Sequence, residues 1–170
     1  GRPEVMIDAR EFAPAAVDPK AYLDADGKLD KNKAINGVTS SGIPGEPAGL
    51  VYLAEHYGKL PLAKSLAPAI RIAKDGFELE SRLATFLGIR KEVLARSPEA
   101  ARIFLRDGAA PKLGERIVQP DLAATLEALA KDGHKGFYQG EVAKRLVDGV
   151  RAAGGNWTLD DLAAYRVEPR

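Results

Sequence analysis

Proline and glycine cut this chain into short apolar-periodic segments, and that punctuation limits the available folds more than any other feature. The 170 residues carry 11 prolines and 17 glycines. From Pro47 to Tyr57, Leu50, Leu53, Ala54 and Tyr57 recur at helical spacing, predicting one apolar stripe that stops at Gly58. Pro61 suits the first turn of the next helix. Pro68 predicts a bend and a new start, with Ile70, Ile72 and Ala73 buried and Gly76 as a left-handed cap. Ser81 is placed to cap a helix carrying Leu83, Phe86, Leu87, Val93 and Leu94. Ser97-Pro98 opens a short one with Ile103 and Phe104. Pro120 starts a helix with Leu122, Leu126 and Leu129. Gly140 precedes another with Val142, Leu146, Val147 and Val150, ended by Gly154-Gly155. Thr158 and Asp161 form an acidic capping pair for a last short helix through Leu162 and Tyr165.

The class this predicts is mainly α, with one or two short strands, Val5–Ile7 and the extended 167–170, whose partners the pattern does not supply. The chain reads as one domain, 1–170, with a strand and polar loop over about 1–46 and a helical region over about 47–166. Within the polar part, Asp24-Ala25-Asp26-Gly27-Lys28 has turn chemistry. Its Asp/Gly spacing hints at a calcium loop, but Leu29 stands where an oxygen ligand is needed and no glutamate follows at the right distance.

Composition removes several functions. A net charge of +1 argues against a nucleic-acid binder. There is no cysteine, hence no disulfide frame or thiolate chemistry. The two histidines, His56 and His134, are too few for a histidine metal site; the first reads as a half-buried surface residue, the second as a loop residue. No apolar run approaches the ~20 residues of a membrane span. Gly1-Arg2-Pro3-Glu4 lacks the basic-then-apolar pattern of a leader, which says nothing about secretion if the chain is internal to a longer one.

Two places invite chemistry. Val5 to Ile7 read as a buried strand, delivering Arg10 to the edge of a packed core beside Asp8 and Glu11. A guanidinium held there can grip a carboxylate through two parallel hydrogen bonds, or it can pair with Asp8 or Glu11 and only pin the strand end. Thr39-Ser40-Ser41-Gly42 suggests a nucleophile, but no base lies nearby in sequence and the nucleophile-elbow pattern is absent. The alternative is a tight loop lining a cleft, with backbone N–H groups facing an anion where the helix starts at Pro47. Lys112, Arg116, Lys131, Lys135, Lys144 and Arg145 read as solvated helix faces, and Tyr138 and Trp157 as packing anchors.

Asp8-Ala9-Arg10-Glu11-Phe12-Ala13-Pro14 resembles the "R-E-x-A-P" segment of the γ-glutamyltransferases (γ-glutamyl transpeptidases). Further matches follow in the family's order. Ser41-Gly42-Ile43-Pro44-Gly45-Glu46-Pro47-Ala48-Gly49 is similar to its "S-G-x-P-G-x-x-A-G" loop, departing at Glu46-Pro47, where a threonine and a small apolar residue are expected. Tyr57-Gly58-Lys59-Leu60-Pro61, Leu66-Ala67-Pro68-Ala69-Ile70, Lys74-Asp75-Gly76-Phe77, Val118-Gln119-Pro120-Asp121-Leu122 and Phe137-Tyr138-Gln139-Gly140 continue it, and Gly154 to Tyr165 closes it.

The resemblance implies an internal piece of the large subunit of an N-terminal-nucleophile hydrolase with an αββα sandwich. In that family a proenzyme cleaves itself, and the new N-terminal threonine of the small subunit attacks γ-glutamyl amides such as glutathione. Nothing in this chain looks like that threonine segment, so no catalytic residue and no cofactor are expected here. The resemblance assigns Arg10 to the α-carboxylate of the substrate, with Glu11 in the same polar network. It also implies a periplasmic or secreted enzyme, the small subunit as partner, and self-association if the piece is isolated. Relatives acting on cephalosporin side chains or poly-γ-glutamate, and a non-catalytic helical binding module, are the alternatives.

Overall fold

The computed structural model describes residues 4–170; Gly1, Arg2 and Pro3, on which the leader reading rests, lie outside the described residues. In chain order the elements are β1 (Ile7–Asp8), α1 (Lys31–Asn36), α2 (Glu46–His56), α3 (Leu62–Asp75), β2 (Phe77–Glu78), α4 (Ser81–Leu94), α5 (Pro98–Phe104), β3 (Arg116–Ile117), α6 (Pro120–Asp132), α7 (His134–Tyr138), α8 (Gly140–Ala152), α9 (Leu159–Ala164) and β4 (Glu168–Pro169). Local chemistry sets many of these boundaries. The Ser97 hydroxyl accepts from the Ala100 N–H and starts α5. Thr158 and Asp161 close a reciprocal capping box on α9. Gly76, at φ 80°, ends α3 by donating its N–H to the Ile72 carbonyl. Asp24 is spent on its own turn, accepting from the N–H groups of Asp26 and Lys28.

The chain forms two compact units: the residues up to Ser65 with Ala128–Arg170, and Leu66–Glu127. In the first, β1 pairs antiparallel with β4, Ile7 opposite Pro169 and Asp8 opposite Glu168. Met6 and Arg170 exchange two backbone hydrogen bonds of 2.8 Å at the open end of this ladder. The core of this unit gathers Ile43, Val51, Leu129, Tyr138, Trp157, Leu162 and Tyr165, all buried. Tyr138 and Trp157 are anchors, as their size predicts. In the second unit, β2 pairs antiparallel with β3, and Leu79, Leu87 and Ile117 form its core.

Several expectations are corrected. There are four two-residue strands among the described residues, not one or two, and the two terminal ones partner each other. The opening segment is not buried: Val5 is 45% and Met6 58% exposed, and Ile7 and Asp8 of β1 are only half-buried. Helix α2 buries Ala48, Gly49 and Val51, while the predicted stripe, Leu50, Leu53 and Tyr57, faces outward. Periodicity finds two apolar stripes on this helix and cannot choose between them. Close packing takes the one with small residues, since Gly49 lies against the Ala9 side chain. Pro68 lies inside an unbroken α3 rather than starting a helix. Pro68 and Lys64 are both exposed, so water can satisfy the Lys64 carbonyl that Pro68 leaves without its helical donor. Ile72 is exposed, whereas Ala73 is buried. Ser81 is the first residue of α4, not its cap; Glu80 holds the cap position. Arg116 belongs to β3, where its guanidinium donates to the carbonyls of Asp75 and Gly76, and Lys112 lies in a loop.

Candidate functional site: a pinned arginine in a shallow groove

The end of β1 delivers Arg10 with its backbone fixed on both sides. The Asp8 carboxylate accepts the Arg10 N–H at 3.2 Å and also pairs with the Arg170 guanidinium at 3.0 Å. The Arg10 carbonyl accepts from the Tyr165 hydroxyl at 2.7 Å. Phe12 and Ile43 exchange two backbone hydrogen bonds, 3.2 and 2.7 Å, which lay the 41–47 loop against this segment. Gly45 makes the approach possible. A methyl group built on it would overlap the Tyr165 hydroxyl and the carbonyls of Ala9 and Arg10.

The Arg10 side chain is 80% exposed, and its one hydrogen-bond partner among the described residues is Glu11, at 2.8 Å. So exposed a pair contributes little to stability. Most of the guanidinium's donor set therefore faces outward, in the fork geometry that fits a carboxylate. Glu11 titrates below the usual carboxylate range, through its own backbone N–H first and the Arg10 guanidinium second. It keeps its charge at neutral pH and steadies one side of the fork. Around Arg10 runs a groove of about 640 Å³, lined by Glu11, Ser40, Gly42, Pro44 and Glu46.

Ser40 and Ser41 donate their hydroxyls to the Gly37 and Val38 carbonyls, both at 2.6 Å. Neither histidine reaches them. His56 is exposed, stacked 3.9 Å from the Tyr52 ring, rather than half-buried. His134 opens α7 rather than lying in a loop, and places Nε2 3.1 Å from the Tyr165 carbonyl. That contact makes Nε2 the donor. Burial pushes the His134 imidazole below its ordinary pKa, with Arg166 adding to the effect.

Two of the N–H groups at the start of α2 are already bonded and one is absent. Pro47 has no N–H, the Ala48 N–H bonds to the Tyr138 hydroxyl at 3.2 Å, and the Gly49 N–H bonds to the Gly45 carbonyl at 3.1 Å. The loop lines the groove beside Arg10. No group of three metal-ligating side chains occurs among the described residues.

The sequence shows Arg10 and Glu11 side by side but not the long-range contacts that hold the Arg10 backbone. Tyr165 was seen only as a helix-end residue, Tyr138 only as packing, and Gly45 only as part of a turn. The bonds joining them span 155 residues for Tyr165–Arg10 and 94 for Tyr138–Pro44, and local pattern carries no trace of them.

The site is a forked cation on a glycine-cradled strand end of a mainly helical scaffold. Comparison with known proteins identifies the family. Residues 2–170 match the gamma-glutamyltranspeptidase family, and the chain belongs to it. The "glutathione hydrolase proenzyme" of Escherichia coli is 37% identical over 165 residues, covering 96% of this chain and 28% of that protein. The gamma-glutamyltranspeptidase of Helicobacter pylori superposes with a TM-score of 0.93 at 32% identity, over 98% of this chain and 48% of that one. A cephalosporin acylase from Bacillus halodurans superposes at 0.82 and 32% identity, over 95% of this chain and 31% of the other. The chain thus spans about a quarter of the curated relative's length and about half of the solved Helicobacter chain.

Proposed function

We propose that this chain is a large-subunit part of a γ-glutamyltransferase that hydrolyses or transfers the γ-glutamyl group of glutathione-like amides. Its role is to bind the substrate's α-carboxylate through Arg10. The single observation that carries this reading is the pinned, outward-facing guanidinium in a chain of this family. Glu11 orients the fork. The nucleophile is a threonine outside this chain, at the head of a small subunit released from the same precursor, and the complete enzyme has the αββα layers of that class. Holding the carboxylate fixes the γ-amide relative to the threonine, converting an encounter into a near-attack geometry. The threonine hydroxyl, with its own α-amino group as base, adds to the amide carbonyl; the amine leaves, and water or an acceptor amine takes the acyl group.

Among the described residues no helix is long and apolar enough to cross a membrane. A periplasmic or secreted location rests on the family resemblance alone. Exposed Met6, Leu50 and Leu53 support self-association of the isolated piece.

The test is turnover by the full-length protein of γ-glutamyl, glutaryl and 4-aminobutanoyl 4-nitroanilides. The first keeps carboxylate and amine, the second only the carboxylate, the third only the amine. The γ-glutamyl anilide should be the best substrate and the 4-aminobutanoyl anilide should be poor. Preference for glutaryl would favour the acylase alternative, and indifference to the carboxylate would remove Arg10 from recognition. The isolated 170-residue chain should turn over none of them.

A further inference from the structure

We propose that Tyr165 is a positioning residue for Arg10: its buried hydroxyl fixes the direction in which the guanidinium leaves the strand. The inference rests on the reading of Arg10 as a carboxylate clamp. A side chain's direction follows from the two peptide planes that meet at its Cα. At Arg10 the N–H plane is held by Asp8 and the carbonyl plane by the Tyr165 hydroxyl, at 3.2 and 2.7 Å. Removing the second bond frees one plane at the point where a small rotation swings a long side chain.

Tyr165 is itself held as a fixed post. It is 1% exposed. Its ring packs against Phe12, with centroids 5.1 Å apart, and stacks on Tyr138, 5.3 Å away. Its carbonyl accepts from His134 Nε2 at 3.1 Å and from the Arg166 guanidinium at 2.6 Å. Its hydroxyl, pushed above the ordinary tyrosine pKa by burial and then by Asp8, Glu168 and Glu11, stays a donor throughout the working pH range. Gly45 backs the same hydroxyl and the same Arg10 carbonyl with no side chain between them. Tyrosine, glycine and arginine backbone thus form one rigid contact under an otherwise exposed side chain.

A purely structural tyrosine would only satisfy a carbonyl. The two roles separate in the full-length enzyme through Tyr165→Phe, which keeps the ring and removes one oxygen. KM for γ-glutamyl 4-nitroanilide should rise about three- to tenfold with kcat within about twofold, the scale of one lost hydrogen bond. In an Arg10→Ala background the same change should raise KM no further, because there is no fork left to aim. Thr158→Ala, which removes the cap at the far end of α9 and reaches neither Arg10 nor the Tyr165 hydroxyl, should leave KM within about twofold. Gly45→Ala presses on the same contact from the opposite side and carries the same expectation should Tyr165→Phe yield no soluble enzyme. KM reads only the folded fraction, so partial misfolding does not disguise the answer. An unchanged KM with a lowered unfolding temperature would overturn the proposal, as would an equal rise in the Arg10→Ala background. If Arg10→Ala alone leaves KM and kcat/KM unchanged, the clamp reading itself fails and takes this proposal with it.

Discussion

Tyr138→Phe should destabilise the first unit by an amount the geometry sets. Tyr138 is 1% exposed, and its hydroxyl serves two backbone groups, donating to the Pro44 carbonyl at 2.7 Å and accepting from the Ala48 N–H at 3.2 Å. Phenylalanine fills the same ring volume, so there is no cavity term. What changes is pairing. Ala48 is 2% exposed, and water cannot reach its orphaned N–H. Pro44 is half-buried, and its carbonyl recovers part of its hydration. A buried unpaired group costs about 1–3 kcal/mol, so the sum is about 1.5–3 kcal/mol once Pro44 is discounted. For a unit of this size that corresponds to an unfolding temperature lower by roughly 6–13 °C. Burial holds the Tyr138 hydroxyl well above the usual tyrosine range, so the effect should not depend on pH between 5 and 9 (about the limits of ordinary assay buffers). The assay is hydrogen exchange of the full-length protein, read on the peptide covering residues 44–52, beside a denaturant titration. Protection in that peptide should fall more than elsewhere. A stability change below about 0.5 kcal/mol with unaltered exchange there would refute the two-partner account of this hydroxyl.

Two further outcomes follow from buried or capping groups. His134 has its pKa lowered by burial, so the unfolded chain takes up the proton first. Stability from this residue is complete above about pH 6.5, the unfolded value, and should decline as pH falls below it towards the lowered folded value. His134→Gln should flatten that part of the stability–pH curve, and a curve of unchanged slope would exclude the assignment. Thr158→Ala removes a hydroxyl that accepts the Asp161 N–H at 3.0 Å and lies 2.7 Å from its carboxylate, and should cost about 1 kcal/mol by denaturant titration. Burial alone would raise the Asp161 pKa, but the Ala15 N–H and the Thr158 hydroxyl and N–H outweigh it and bring it down. Its contribution should therefore hold above about pH 3.8 and disappear as pH falls through the lowered folded value.

How much of this was legible depends on the range of the interaction. Ser97-Pro98, Pro120 and the Thr158–Asp161 pair act within one helical turn, and helices begin where they stand. The buried face of α2 was not legible, because Leu50/Leu53 and Ala48/Val51 are both apolar and only the approach of Ala9 and Tyr138 distinguishes them. Pro68 misled for a related reason: its local penalty is real, but an exposed carbonyl makes it tolerable inside a helix. The site divides in the same way. Arg10 and Glu11 stand side by side and were visible as a charged cluster. Asp8, two residues away, belongs to the same cluster, whereas Gly45 and Tyr165 join the frame only after folding brings the end of the last helix against the first strand.

The central claim is that Arg10 binds the substrate carboxylate, and Arg10→Ala in the full-length enzyme tests it most directly. With γ-glutamyl 4-nitroanilide, kcat/KM should fall by about ten- to a hundredfold or more, the scale of a lost charge-assisted hydrogen bond. Arg10→Lys should recover little of it, because one ammonium does not reproduce the fork. An unchanged kcat/KM in Arg10→Ala would contradict the account.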